Sequence, residues 1–230
     1  MCGAGYDIGM DSRSETGETI APEEANGIVQ DLTYVAVLRD YGREMPMERP
    51  EGYDSSLFAC ACINPLCAGT DNPEPIWSCD KMLSYGRLPG NKYMINWPIS
   101  GNDFYANLIE MDSKAREEIL EEAKQMTLGF VYFINHELGY KTLALADDEF
   151  PTPDRLPFIP YYRESRRIRG KVRFTLNHII DPYGQAEKLD RTSVAEGDYP
   201  VDHHHSAYSG PESLPDLSFR PVPSFGLPLG

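Results

Sequence analysis

The feature that most constrains this chain is one long run of helical periodicity. From Ser113 to Leu138, the apolar residues Ile119, Ala123, Met126, Phe130, Ile134 and Leu138 recur at three- and four-residue spacing. That spacing lays a continuous stripe along one side of an α-helix. Asp112 or Ser113 stands at the capping position and Gly139 follows the last periodic residue, so both ends are marked. At the α-helical rise the run spans about 39 Å, enough to cross a whole domain. Glu117, Glu118, Glu121 and Glu122 crowd its first half, toward the positive end of the helix dipole. The predicted role is structural, with the stripe facing a core.

The other segments read as strands and irregular chain. "GIVQDLTYVAVLRDYG", Gly27 to Gly42, predicts one strand with Leu32, Tyr34, Ala36 and Leu38 on one face and Thr33, Val35 and Val37 on the other. Both faces are largely apolar, so burial on both sides is expected. Between Met45 and Pro98 the chain is interrupted by Pro46, Pro50, Pro65, Pro73, Pro75, Pro89 and Pro98. This predicts a Pro-rich irregular region over residues 45–98, with a short strand at Lys92–Asn96. "YYRESRRI" and "KVRFTLNHII" read as two more strands, with Gly170 at a turn or bulge between them. A sheet with one long helix places the chain in a mixed α+β class.

Charge and cysteine content narrow the function. The 230 residues carry 36 Asp and Glu against 21 Lys and Arg, a net charge of −15, a field that repels polyanions and argues against nucleic acid or an anionic membrane as partner. No apolar stretch reaches transmembrane length, and "MCGAGYDIGMDSRSE" lacks the basic start and apolar run of a signal peptide. A cytoplasmic location is the default expectation. Cys2, Cys60, Cys62, Cys67 and Cys79 are odd in number, which rules out a complete disulfide framework and predicts mostly free thiols. Their spacing is not that of a standard zinc knuckle, and no metal is expected.

Against this acidic background one stretch is basic. Arg163, Arg166, Arg167, Arg169, Lys171 and Arg173 fall within eleven residues, with Glu164 among them. Alternation along a strand would aim Arg163, Ser165 and Arg167 at one place, and guanidinium forks match the oxygens of a carboxylate or phosphate. A charged surface, or pairing with the chain's own carboxylates, explains the run equally well. "GAGYDIG" invites a dinucleotide-binding reading, but no strand precedes it and Gly3, Gly5 and Gly9 are spaced one residue too wide. In "VDHHHS", alternate side chains of an extended segment point apart, so three histidines do not face one ion easily. One histidine paired with Asp202 is chemically more useful, as an acid or base near neutral pH.

Taken in order, "GYDIGMDSRSETGE", "ANGIVQDLTYVAVL", "NWPISGNDFY", the long helix, "YYRESRRIRGKVRFTLNHII", "YPVDHHH" and "FRPVPSFGLPLG" resemble the middle of the bacterial FAD-dependent oxidoreductase family. An Arg-Glu-x-Arg-Arg-Ile-x-Gly strand is its most specific signature. The resemblance implies that residues 1–230 are the substrate-domain portion of a two-domain FAD-binding fold. It implies a fragment without the family's N-terminal βαβ unit and C-terminal flavin-binding segment. FAD would then belong to the complete parent and would not be retained by this chain. Arg163, Glu164, Arg166 and Arg167 match the signature strand and are implied to lie on the cofactor side. Asp202 and His204 match a Tyr-Pro-Ile-Asp-x-His pattern and are the candidate proton-transfer residues. Asn102, Asp103 and Tyr105 of "GNDFY" are candidate substrate contacts. His178 stands near where the family usually has an acidic residue, so no acid role is carried over to it.

The expected function is therefore part of an FAD-dependent oxidoreductase acting on a small molecule, with a carbohydrate-derived compound as one candidate class. The fragment by itself is expected to be inactive, and its oligomeric state is open. Two other classes fit the same residues: a non-catalytic module that captures a small anion or carbohydrate, and a cysteine-histidine metal domain.

Overall fold

The computed structural model describes residues 3–70, 75, 77–181, 184, 193–197, 203–211 and 225–228, with 193–197 and 225–228 described by backbone alone. The chain divides into two compact units. One comprises residues 1–30, 164–203 and 209–230, and the other residues 31–163 and 204–208. Sheets and helices are mixed, as an α+β class requires.

In chain order the elements are β1 (Tyr6–Asp7), α1 (Arg13–Thr16), β2 (Leu32–Thr33), β3 (Ala36–Asp40), α2 (Cys79–Tyr85), β4 (Arg87–Leu88), β5 (Lys92–Ile95) and β6 (Asp103–Phe104). They continue with α3 (Ser113–His136), β7 (Leu143–Leu145), β8 (Arg167–Ile168), α4 (Leu176–Ile180), β9 (Ser193–Gly197) and β10 (Phe225–Pro228).

The unit built on residues 31–163 holds the core. Its antiparallel sheet has the order β4-β5-β3-β7, with Leu38 opposite both Tyr93 and Leu145. Helix α3 runs from Ser113 to His136, and the Asp112 carboxylate accepts from the amides of Lys114 and Ala115. Gly139 just beyond takes a positive φ, the left-handed conformation that suits glycine after a helix end. Ala123, Phe130 and Ile134 of the predicted stripe are fully buried, while Ile119, Met126 and Leu138 pack partly buried against the core. The second half of α3 is buried beyond that stripe, since Val131 and Phe133 are also fully buried. Each such side chain contributes about 1.5–3 kcal/mol through burial.

The polar residues of α3 bind the core backbone. Asn135 Nδ2 donates to the carbonyls of Met45, Lys141 and Leu143, and the Thr127 hydroxyl donates to the carbonyl of Tyr34 at 2.9 Å.

That last bond explains a departure from the single strand expected over Gly27–Gly42. The segment splits into β2 and β3, because the Tyr34 carbonyl is taken by side chains, Thr127 and Asn102, where a ladder bond would otherwise form. Burial on both sides holds for most of it, with Val29, Leu32, Thr33, Tyr34, Ala36 and Leu38 at 1% exposure or less.

Four further expectations are corrected. The Pro-rich region contains α2, with the Ser78 hydroxyl accepting from the Lys81 amide, and its cysteines are not free thiols. Cys60 is joined to Cys67 and Cys62 to Cys79, which also removes them as a zinc set, because each sulfur is already bonded to another. An odd total is compatible with two bridges and one cysteine outside them.

"YYRESRRI" forms strand only at Arg167–Ile168, paired with Tyr6–Asp7, apart from a single bridge between Tyr161 and Thr33. "KVRFTLNHII" is not a strand; Leu176–Ile180 is a helix that follows Thr175, whose amide donates to His178 Nδ1 at 3.0 Å. The apolar alternation was real, but local capping chemistry decided the backbone. Among the described residues no helix is long and apolar enough to cross a membrane.

Candidate active site

Three pieces of the unit built on residues 31–163 meet in a buried polar cluster. The first is β2 with the residue before it, Asp31. The second is β6, which sets Thr33 opposite Asp103. A tight turn from Trp97 to Asn102 delivers it, in which a Cβ on Gly101 would lie 2.2 Å from the Trp97 carbonyl oxygen, so only glycine fits there. The third is Tyr161, whose backbone pairs with Thr33 in both directions, at 3.1 and 2.7 Å. That pairing brings Arg163, two residues on, level with Asp31.

Arg163 is then held by its own unit. Nη1 donates to the Asp31 carbonyl at 2.8 Å and to the Thr33 hydroxyl at 2.9 Å, and Nη2 to Asn96 Oδ1 at 3.0 Å and Asp103 Oδ1 at 3.3 Å. The side chains of Arg163 and Asp103 are 6% and 1% exposed, so this is a buried, multiply bonded pair rather than a surface contact. Thr33 also donates to Asp103 Oδ1. The other carboxylate oxygen, Oδ2, lies 2.7 Å from His204 Nδ1.

Asp31 completes the cluster. It is fully buried, its amide donates to the His204 carbonyl at 2.7 Å, and its Oδ2 accepts from the Ala207 amide at 2.9 Å. Burial pushes its carboxyl up to about 6, with the Asp103 charge adding to that rise and Ala207, Arg163 and His204 opposing it.

The residues singled out in the sequence fall out as follows. Asp103 and His204 come together, so that among the described residues Asp103 is a carboxylate beside His204; Asp202 lies outside the described residues. Asn102 is fully buried and clamps backbone, accepting from the Trp97 amide and donating to the carbonyls of Tyr34 and Ile95. Tyr105 stacks edge-on with Tyr208 at 4.8 Å.

Glu164, Arg166 and Arg167 belong to the other unit. There Arg167 bridges Glu164 at 2.8 Å and Asp11 at 2.9 Å, and Arg166 lies over the Tyr6 ring. Glu164 also accepts from the Gln30 amide, and burial raises its carboxyl above the ordinary range. Farther along, Arg169 and Arg173 pair with Asp7, and Arg173 also with Asp11. Arg167, Arg169 and Arg173 are thus matched by carboxylates of their own unit.

Sequence reasoning missed Asp31 and Thr33. The signal was present, since a carboxylate inside an apolar run with two buried faces needs an explanation.

Comparison with known proteins ends the description. A family model described as FAD dependent oxidoreductase matches residues 1–230. No curated protein and no solved structure matches the chain.

Proposed function

The chain belongs to the FAD-dependent oxidoreductase family, and from that membership we propose that it supplies the substrate side of such an enzyme, with His204 taking or returning a proton of the substrate. The observation that carries this is the 2.7 Å contact between His204 Nδ1 and Asp103 Oδ2. A buried carboxylate on Nδ1–H places the imidazole lone pair at Nε2, orients the ring and favours the imidazolium once a proton arrives. Arg163 and Thr33 hold Asp103 in turn. Arg163 is therefore read as the residue that orients the acid beside His204, not as a clamp for a free anion. Glu164, Arg166 and Arg167 keep the cofactor-side assignment that the family signature implies. Tyr105 remains a substrate-side candidate, and Asn102 supports the turn that presents Asp103.

The described residues do not fit the pyrophosphate of FAD. The glycine segment Gly3–Gly9 contains the two-residue β1 and is followed by the four-residue α1, where the Ser12 amide already donates to Glu15. At the start of α3 the Asp112 carboxylate takes the first amides, which opposes a second anion there. The chain by itself is accordingly read as not retaining FAD. Two disulfides support a reading in which it folds in an oxidising compartment rather than the cytoplasm, where such bonds are rare.

The test uses the complete parent enzyme to which this substrate side is read to belong, isolated from its source. It should release FAD on denaturation and reduce an artificial electron acceptor with some member of a panel of sugars, sugar acids and small alcohols. A His204→Gln allele should lose about 10²–10⁴-fold in kcat. Absence of flavin would refute the oxidoreductase reading, and undiminished turnover in the allele would refute the role of His204.

A further inference from the structure

Asp31 is the buried charge that the His204–Asp103 pair leaves unused. Its amide holds the His204 carbonyl, its Oδ2 holds the Ala207 amide, and its carbonyl receives Arg163. One residue therefore grips the chain at His204, grips it again three residues later, and ties both points to the guanidinium that holds Asp103. Its second oxygen, Oδ1, is buried and finds no hydrogen-bond partner among the described residues. An asparagine would accept from Ala207 without placing a charge in the interior, where an incompletely paired charge is unfavourable. A carboxylate at this position points to a use for its charge.

We propose that Asp31 is the positioning residue of this site: it holds the 204–207 segment in the register at which the His204 imidazole meets Asp103. The proposal rests on the His204–Asp103 reading above. Among the described residues, the charged and titratable groups that face Asp31 are Asp103, Arg163 and His204. Two carboxylates, Asp31 and Asp103, thus share one guanidinium, and one added proton relieves the excess of negative charge. As pH falls through about 6, Asp31 takes up that proton, and the charge-assisted bond to Ala207 becomes a weaker neutral one. The grip on the His204 segment then loosens.

The test is NMR on the full, isotopically labelled chain with its disulfides intact. In the wild type the Ala207 amide resonance should shift between about pH 5 and 7 as Asp31 ionises. Exchange of the His204 Nδ1–H with water, read from its downfield signal, should speed up over the same range. In Asp31→Asn the Ala207 amide should be flat, and at pH 7.5 that exchange should be about tenfold faster than in the wild type, with the fold checked by circular dichroism. A flat Ala207 amide in the wild type, which needs no variant, or an exchange rate unchanged in Asp31→Asn, overturns the proposal. His204→Gln separates the two readings. A downfield signal that survives it sinks the His204–Asp103 pair, while the Ala207 amide still reports whether Asp31 holds its segment.

Discussion

Replacing Asp31 by asparagine should change stability in a way that depends on pH, and the size follows from the carboxyl's burial. The folded-state value of about 6 lies above the ordinary aspartate value of 3.8, so the folded chain binds this proton more tightly than the unfolded chain. Ionised Asp31 therefore opposes folding, and the penalty grows as pH rises from the lower value to the higher. Linkage makes the penalty small at pH 4 and about 3 kcal/mol at pH 7.5. Asparagine removes this penalty, but it puts an amide where Oδ1 has no described partner, which returns about 1–2 kcal/mol at every pH. The net expectation is a gain of about 1–2 kcal/mol at pH 7.5 and a loss of about 1 kcal/mol at pH 4. The pH-independent offset cancels in the difference, leaving about 2 kcal/mol between the two conditions. Trp77 and Trp97 both lie in the unit that contains Asp31, so urea unfolding followed by tryptophan fluorescence, without reductant, reads the relevant unit. A variant whose stability relative to wild type is the same at pH 4 and 7.5 would refute the reasoning.

Two further outcomes are expected. Arg163→Met leaves Asp103 buried without its cation and should destabilise the unit by about 3–5 kcal/mol in the same assay; recovery of part of that loss in Arg163→Met with Asp103→Asn would identify the unpaired charge as the cause, and no loss at all would show that the pair is not buried in solution. Thiol titration of the chain unfolded without reductant should find one reactive thiol, five cysteines less the four in Cys60–Cys67 and Cys62–Cys79. Reduction should raise this to five and lower stability by about 2–3 kcal/mol for each bridge, whereas five thiols before reduction would refute the pairing.

The fold was legible where a periodic signal ran long enough to outweigh local chemistry. Helix α3 was readable with its cap and its stop, since twenty-four residues of one period leave little competing structure. So was β5, a residue shorter than expected. Short segments were not legible. "KVRFTLNHII" has strand alternation, yet Thr175 and His178 favour a helical turn over residues 176–180, and an alternation of a few residues carries too little energy to resist that. The cysteines misled for a related reason. Their odd number says nothing about which sulfurs are near each other, and only the folded 60–79 segment brings them into pairs.

The site divides in the same way. Residue type and order were enough to single out His204, Asp103 and Arg163, because imidazole, carboxylate and guanidinium chemistry belongs to the side chain wherever it sits, and the family signature follows the chain. Partnership was not available from order. Asp103 reaches His204 from 101 residues away, and the pairing of Thr33 with both Asp103 and Tyr161 sets which carboxylate the imidazole and the guanidinium meet. The basic run around Arg167 was visible at once, but its partners Asp7 and Asp11 lie more than 150 residues earlier. Charge is local and readable in sequence, whereas its neutralisation depends on distance in space, which only the packed backbone determines.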